Sequence, residues 1–263
     1  MPLSREIFQQ YSAFRWQVPL EGEASLRPVA HPHRLDPDEL LGIDRAKAVL
    51  TRNTRCFVDG LPANDALLWG SRGTGKSSLV KALATRFADK GLKIVEINKG
   101  DLLHLPDILE QLRPLPHPFL LFCDELSFEA GDPAHKTLKG VLEGGVEARP
   151  ANVLLYATSN RRHLMPRAFE ADPTAAQGEI HPHESAEEEI SLSDRFGLWL
   201  GFHPFDQETY LAIVMAHARR LDLGVSSETL RREALDWARL RGARSGRVAR
   251  QFMIDMRGRG SQK

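Results

Sequence analysis

The chain has 263 residues, 35 basic and 35 acidic, so its formal net charge is zero; 42% of residues are hydrophobic and 27% charged. Such a balance fits an ordinary folded chain of one large domain, or one with a small appendage, and bulk charge predicts no polyanion partner. No stretch approaches the ~18–20 uncharged apolar residues that cross a bilayer, and Arg5, Glu6 and Arg15 near the start argue against a secretory signal. A cytoplasmic protein without membrane contact is expected. Cys56 and Cys123 are too few for a disulfide framework and lack metal-site spacing.

In chain order, residues 1–36 read as an irregular N-terminal segment carrying Pro19, Pro28 and Pro32. Phe14 and Trp16 are expected to pack it on the body, with partner binding as the alternative. From Leu40 to Val58 apolar positions recur at near-helical spacing until Asp59-Gly60-Leu61-Pro62 breaks the chain. Five short apolar runs follow: Ala66–Trp69, Lys93–Ile97, Phe119–Cys123, Val153–Ala157 and Leu198–Phe202. Helical patterns lie between most of them, over 76–90, 101–112 and 135–142. Strand alternating with helix predicts an α/β domain over 37–204, a three-layer αβα sandwich around a five-stranded parallel sheet. Beyond Phe205 the strands stop. Three helices over 207–221, 226–240 and 246–257 predict a small helical lid domain over 205–263, with Ser226 and Glu228 as capping residues.

Charge is unevenly spread. Residues 170–194 hold eight acids and no Lys or Arg, within an insertion at about 168–192. Residues 239–263 hold eight bases and one acid. Ile180-His181-Pro182-His183-Glu184 in the insertion suggests a metal only weakly, and an acidic loop is the better reading.

The first chemical motif is Gly70-Ser71-Arg72-Gly73-Thr74-Gly75-Lys76-Ser77, between a strand and a helix that opens with Ser78. Its glycines permit close backbone approach. Consecutive N–H groups and the positive end of the helix form an anion nest. Lys76 is placed for the β- and γ-phosphates of ATP and Ser77 for Mg²⁺. Asn98-Lys99-Gly100-Asp101 spells a guanine-reading motif, but it precedes every downstream acidic candidate, so it reads as a strand-to-helix turn with Asp101 as N-cap. Asp124-Glu125 ends a buried strand, where acids face the ligand crevice of α/β sheets. Asp124 is expected to hold Mg²⁺ through water, and Glu125 to deprotonate the attacking water. Asn160 ends the next apolar strand and can position the γ-phosphate and that water; its alternative is a turn role.

With these residues in place, the chain resembles the AAA+ P-loop ATPases. The combination of Leu41-Gly42-Ile43-Asp44, Arg72–Ser78, Asp124-Glu125-Leu126 and Ser191–Phe196 resembles, more closely, a bacterial AAA+ group known only as a domain of unknown function. The resemblance implies that Asn160 is sensor-1 and that Leu41, Gly42 and Ile43 line the adenine pocket. It implies that Arg195 is an arginine finger acting on ATP held by a neighbouring subunit, with an intrachain pair to an acid of the preceding run as the alternative. It implies that Arg247, or failing it Arg244, reaches the γ-phosphate from the lid. The expected activity is Mg²⁺-dependent ATP hydrolysis by a homo-oligomer that remodels or loads a protein client. Two alternatives stay open: a nucleic-acid-associated ATPase using the Arg-rich C-terminus, and a nucleotide-dependent interaction module that does not hydrolyse. A small-molecule kinase has no need of Glu125 or of three C-terminal helices.

Overall fold

Within the N-terminal segment expected to be irregular, the described residues form helix α1 (Arg5–Gln10) and strands β1 (Ala13–Gln17) and β2 (Ser25–Pro28). The structure is a computed structural model that describes residues 5–19, 24–129, 132–144, 148–162, 164, 192–221 and 224–260. β1 alternates in sequence as it does in burial, with Phe14 and Trp16 buried and Arg15 and Gln17 exposed, which is the period of a strand with one face on a core. Phe8, Phe14, Trp16 and Leu26 are all nearly inaccessible, so the two aromatics do pack the segment on the body.

Beyond this segment come α2 (Asp44–Val58), β3 (Ala66–Gly70), α3 (Lys76–Arg86), β4 (Lys93–Ile97), α4 (Leu105–Leu112), β5 (Phe119–Cys123), α5 (Pro133–Glu143), β6 (Val153–Ser159) and β7 (Leu198–Phe202). Among the described residues the sheet has seven strands where five were expected, in the order β2-β1-β4-β5-β6-β3-β7. β1 joins β4 in parallel, and β2 closes that side antiparallel to β1. Every other strand pair is parallel.

β5 lies inside this sheet and is buried along its whole length. Its side chains divide between two cores, as a fully covered strand requires. Leu120 and Phe122 pack with α2, α3 and the C-terminal helices, while Phe119, Leu121 and Cys123 pack with α1, α4 and α5. Burial pushes the Cys123 thiol up to about 12, so it is a packed group and not a nucleophile.

The C-terminal helices are α6 (Gln207–Leu221), α7 (Ser227–Arg241) and α8 (Gly246–Gly260). The Ser226 side chain caps α7 by accepting from Thr229 N–H at 3.2 Å. Tyr210 is fully buried and donates to the Ala234 carbonyl at 3.0 Å, tying α6 to α7. Among the described residues no helix is long and apolar enough to cross a membrane.

Candidate functional site

β3 runs into a loop that closes on the N-terminus of α3. Gly75 caps that helix at φ 102°, left-handed backbone that an L side chain rarely adopts. The loop thus lies at the N-terminus of α3, where unpaired N–H groups and the macrodipole give positive potential. Lys76 is buried, and its Nζ donates to the carbonyls of Gly70 (2.7 Å) and Ser71 (2.8 Å) and to Asn160 Oδ1 (3.3 Å). Burial lowers its pKa from the usual lysine value, Asp124 and Glu125 oppose that shift, and Arg247 and Arg72 add to it. The ammonium thus sits among neutral acceptors, an arrangement suited to an incoming anion.

The strand end of β5 supplies the carboxylates. Ser77 Oγ donates to Asp124 Oδ1 at 2.6 Å, so the two side chains expected to hold a metal already meet. The Thr158 hydroxyl donates to the same oxygen and accepts the Glu125 N–H at 3.0 Å. Glu125 has φ 55°, the one non-glycine residue with positive φ among those described.

α8 docks directly on the loop. Arg247 N–H reaches the Gly73 carbonyl at 3.3 Å, and a Cβ on Gly73 would lie 2.9 Å from Ser245 Oγ and 3.0 Å from Arg247 Cβ. Between loop and helices lies a cleft of about 440 Å³ lined by Arg72 to Ser78, Asp124, Glu125, Asn160 and Arg247. Its apolar lining comes from Leu41, Ile43, Phe205 and Ile213, among others. Gly70, Ser71 and Gly42 are not on the cleft wall. The first two shape it through the carbonyls that hold Lys76, and Gly42 closes against Thr209 and Phe205. Arg244 does not line it either, which separates it from Arg247.

Arg195 lies away from this chain's own cleft. Its Nη2 is 2.7 Å from Glu143 Oε1 on α5, and its side chain is 46% exposed. Among the described residues its acidic partner is Glu143, which is not one of the preceding run. The acids of that run from Glu170 to Glu189, with His181 and His183, lie outside the described residues. Among the described residues no three His, Cys, Asp or Glu side chains gather as a metal cluster.

Several lining residues escaped the sequence reading. Thr158 was passed over as part of an apolar strand. His217 stands one turn after Ile213, and Arg250 one turn after Arg247, so helical spacing places each beside a residue already on the wall. Burial lowers the His217 pKa, with Arg220 and Arg250 adding to the shift and Glu39 opposing it. Glu39 itself pairs with Arg220 at 2.8 Å. The guanine-type motif has no place in the cleft. Asp101 Oδ2 accepts from Asn98 Nδ2 at 3.0 Å, and Asn98, not Asp101, is the cap of the short helical turn.

The residues fit a nucleotide with Mg²⁺. The cradle offers N–H groups and a buried ammonium to phosphates. The Ser77–Asp124 pair is the sparse oxygen donor set that Mg²⁺ uses when waters and phosphates complete its shell.

The family model described as a protein of unknown function, DUF815, matches residues 9–260. A comparison with curated proteins gives no match. Among solved structures, RuvB from Thermotoga maritima is similar with a TM-score of 0.50 and 16% identity over 83% of this chain and 71% of that one. The FIGL-1 AAA domain, solved in complex with ADP, is similar with a TM-score of 0.51 and 19% identity over 82% of this chain and 70% of that one. At these identities the likeness establishes the fold.

Proposed function

The chain belongs to the DUF815 family, and from that premise and its AAA+ P-loop fold we propose that it is a Mg²⁺-dependent ATPase that works as an oligomeric machine or switch on a macromolecular client. One observation carries this reading: Lys76, Ser77, Asp124, Glu125, Asn160 and Arg247, contributed by α3, the ends of β5 and β6, and α8, line a single cleft. A nucleotide-binding turn alone requires only the first two.

Bound ATP with Mg²⁺ supplies the phosphoryl group and much of the charge neutralisation its transfer needs. The loop N–H groups and the α3 N-terminus bind phosphate oxygens, and Lys76 moves its ammonium from main-chain carbonyls to phosphate. Ser77 and Asp124 would hold the metal. Glu125 accepts a proton from the attacking water, and Asn160, already within reach of Lys76, orients it. Leu41, Ile43, Phe205 and Ile213 take the base and exclude water. Arg247 carries the nucleotide state to α8, and Arg195 serves a neighbouring subunit's cleft.

Part of the basic C-terminus faces the cleft or has acidic partners within the chain, which leaves less of it for a phosphate backbone. Arg247 and Arg250 line the cleft, Arg239 pairs with Asp236, and Arg259 pairs with Glu233 and Asp255.

Steady-state hydrolysis and ATP binding by Glu125→Gln test the proposal. Turnover is expected to fall ~10²-fold or more, as loss of a general base implies, with ATP still bound. A wild-type protein that binds ATP without turning it over would instead be an interaction module. Hydrolysis that appears only with added DNA would restore the nucleic-acid reading.

A further inference from the structure

Thr158 stands on β6, two residues before Asn160, and is 1% exposed. Three hydrogen bonds run from this residue to three consecutive positions of the carboxylate turn. Its hydroxyl donates to Asp124 Oδ1 and accepts from Glu125 N–H at 3.0 Å, and its carbonyl accepts from Leu126 N–H at 2.7 Å. The middle position of that turn is Glu125, at φ 55°. Left-handed backbone at a residue with a side chain persists only where the surroundings over-determine it, and here the over-determination comes from one threonine.

From this geometry we infer that Thr158 is a positioning residue for ATP hydrolysis: its hydroxyl fixes the Asp124 carboxylate and the Glu125 backbone together, so that metal holder and base are set as one unit. The inference rests on the ATPase reading. Two hydroxyls donate to Asp124 Oδ1, from Ser77 and Thr158. Ser77 is the one committed to Mg²⁺ in the proposed reaction, which leaves Thr158 as the standing anchor of that carboxylate. The side chain is buried and β-branched, which restricts its rotation toward another partner. A hydroxyl so placed also links Asn160 to Glu125 along one stretch of β6. A shift of that strand moves the water-orienting amide and the base together.

The decisive comparison is Thr158→Val against Thr158→Ser. Valine keeps the shape and loses the hydroxyl, which takes from the Glu125 N–H and from Asp124 Oδ1 the partner they share. Serine keeps the hydroxyl. In Thr158→Val kcat is expected to fall about tenfold or more, and the Mg²⁺ concentration for half-maximal activity to rise. ATP affinity should stay within about threefold, because Lys76 and the loop are untouched. Thr158→Ser should restore both the rate and the Mg²⁺ requirement. A hydroxyl that merely satisfies the core would lower the melting temperature of Thr158→Val and leave kcat and Mg²⁺ dependence at wild-type values below that temperature, which overturns the inference. If the valine variant does not fold, Thr158→Ala, which needs no new space, is read against the same two outcomes. Wild-type protein that hydrolyses no ATP removes the ATPase reading itself; active wild type with an equally active Thr158→Val removes this inference alone.

Discussion

Lys76 holds the most exposed commitment of any single residue in the cleft. Its ammonium is buried against two main-chain carbonyls and one amide oxygen, and burial lowers its pKa from 10.5. Only the protonated form attracts phosphate. ATP affinity should therefore decline as pH rises through that lowered pKa, beginning below the usual lysine range. Lys76→Met should lose affinity ~10–100-fold at neutral pH, the weight of a charge-assisted contact, and lose the alkaline limb as well. Titration with a fluorescent ATP analogue between pH 7 and 10 measures both; a methionine variant with the same alkaline limb would move the effect to another group. Lys76 was legible in the sequence because the phosphate loop is local: eight contiguous residues carry its turn, charge and helix start. Asp124, Glu125 and Asn160 were legible for the same reason, each closing a buried strand. Thr158 was not, because the property that matters is which strand lies beside β5, and sequence periodicity gives no strand order. His217 and Arg250 escaped because a lid residue is defined by how its helix docks, not by its own pattern.

At the scale of elements, the five central strands could be read from their apolar runs, and β4, β5 and β7 begin and end where those runs do. β1 was missed although its alternation is plain in Ala13-Phe14-Arg15-Trp16-Gln17. A five-residue run between prolines and polar residues does not say what it pairs with. Its partner β4 lies about 80 residues away, as the Arg15–Glu96 ion pair at 2.8 Å records, and such pairing is decided by tertiary context. This makes the N-terminal segment part of the sheet. Trp16 is 1% exposed, and its loss opens a cavity beside β4. Trp16→Ala should cost about 3–5 kcal/mol, read as a lowered denaturant midpoint with an unchanged slope. Among the described residues Trp16 Nε1 has no hydrogen-bond partner, so Trp16→Phe, which removes that buried N–H, should cost much less. Equal losses for the two variants would mean that ring volume does not decide the stability of this edge.

On the scale of the whole molecule, the two arginines assigned to charge neutralisation part company. Arg247 reaches the cleft from α8 within its own chain, whereas Arg195 sits outside it, paired with Glu143. A pair exposed to this degree contributes only about 0–1 kcal/mol, so a neighbouring subunit's phosphates can displace Glu143 at little cost. If Arg195 completes the site of a neighbour, Arg195→Ala should bind ATP normally and lose turnover by ~10³–10⁵-fold. Glu143→Gln should leave turnover at or above the wild-type level, because it frees the arginine without removing it. The same reading makes a stronger claim about mixtures. Glu125→Gln subunits keep Arg195 but have no base; Arg195→Ala subunits keep the base but have no finger. Mixing the two inactive proteins creates interfaces in which an intact cleft faces an intact arginine, so activity should reappear, and it should fall on dilution. An arginine acting within its own chain gives no such rescue at any mixing ratio, and neither does one that serves only the Glu143 pair.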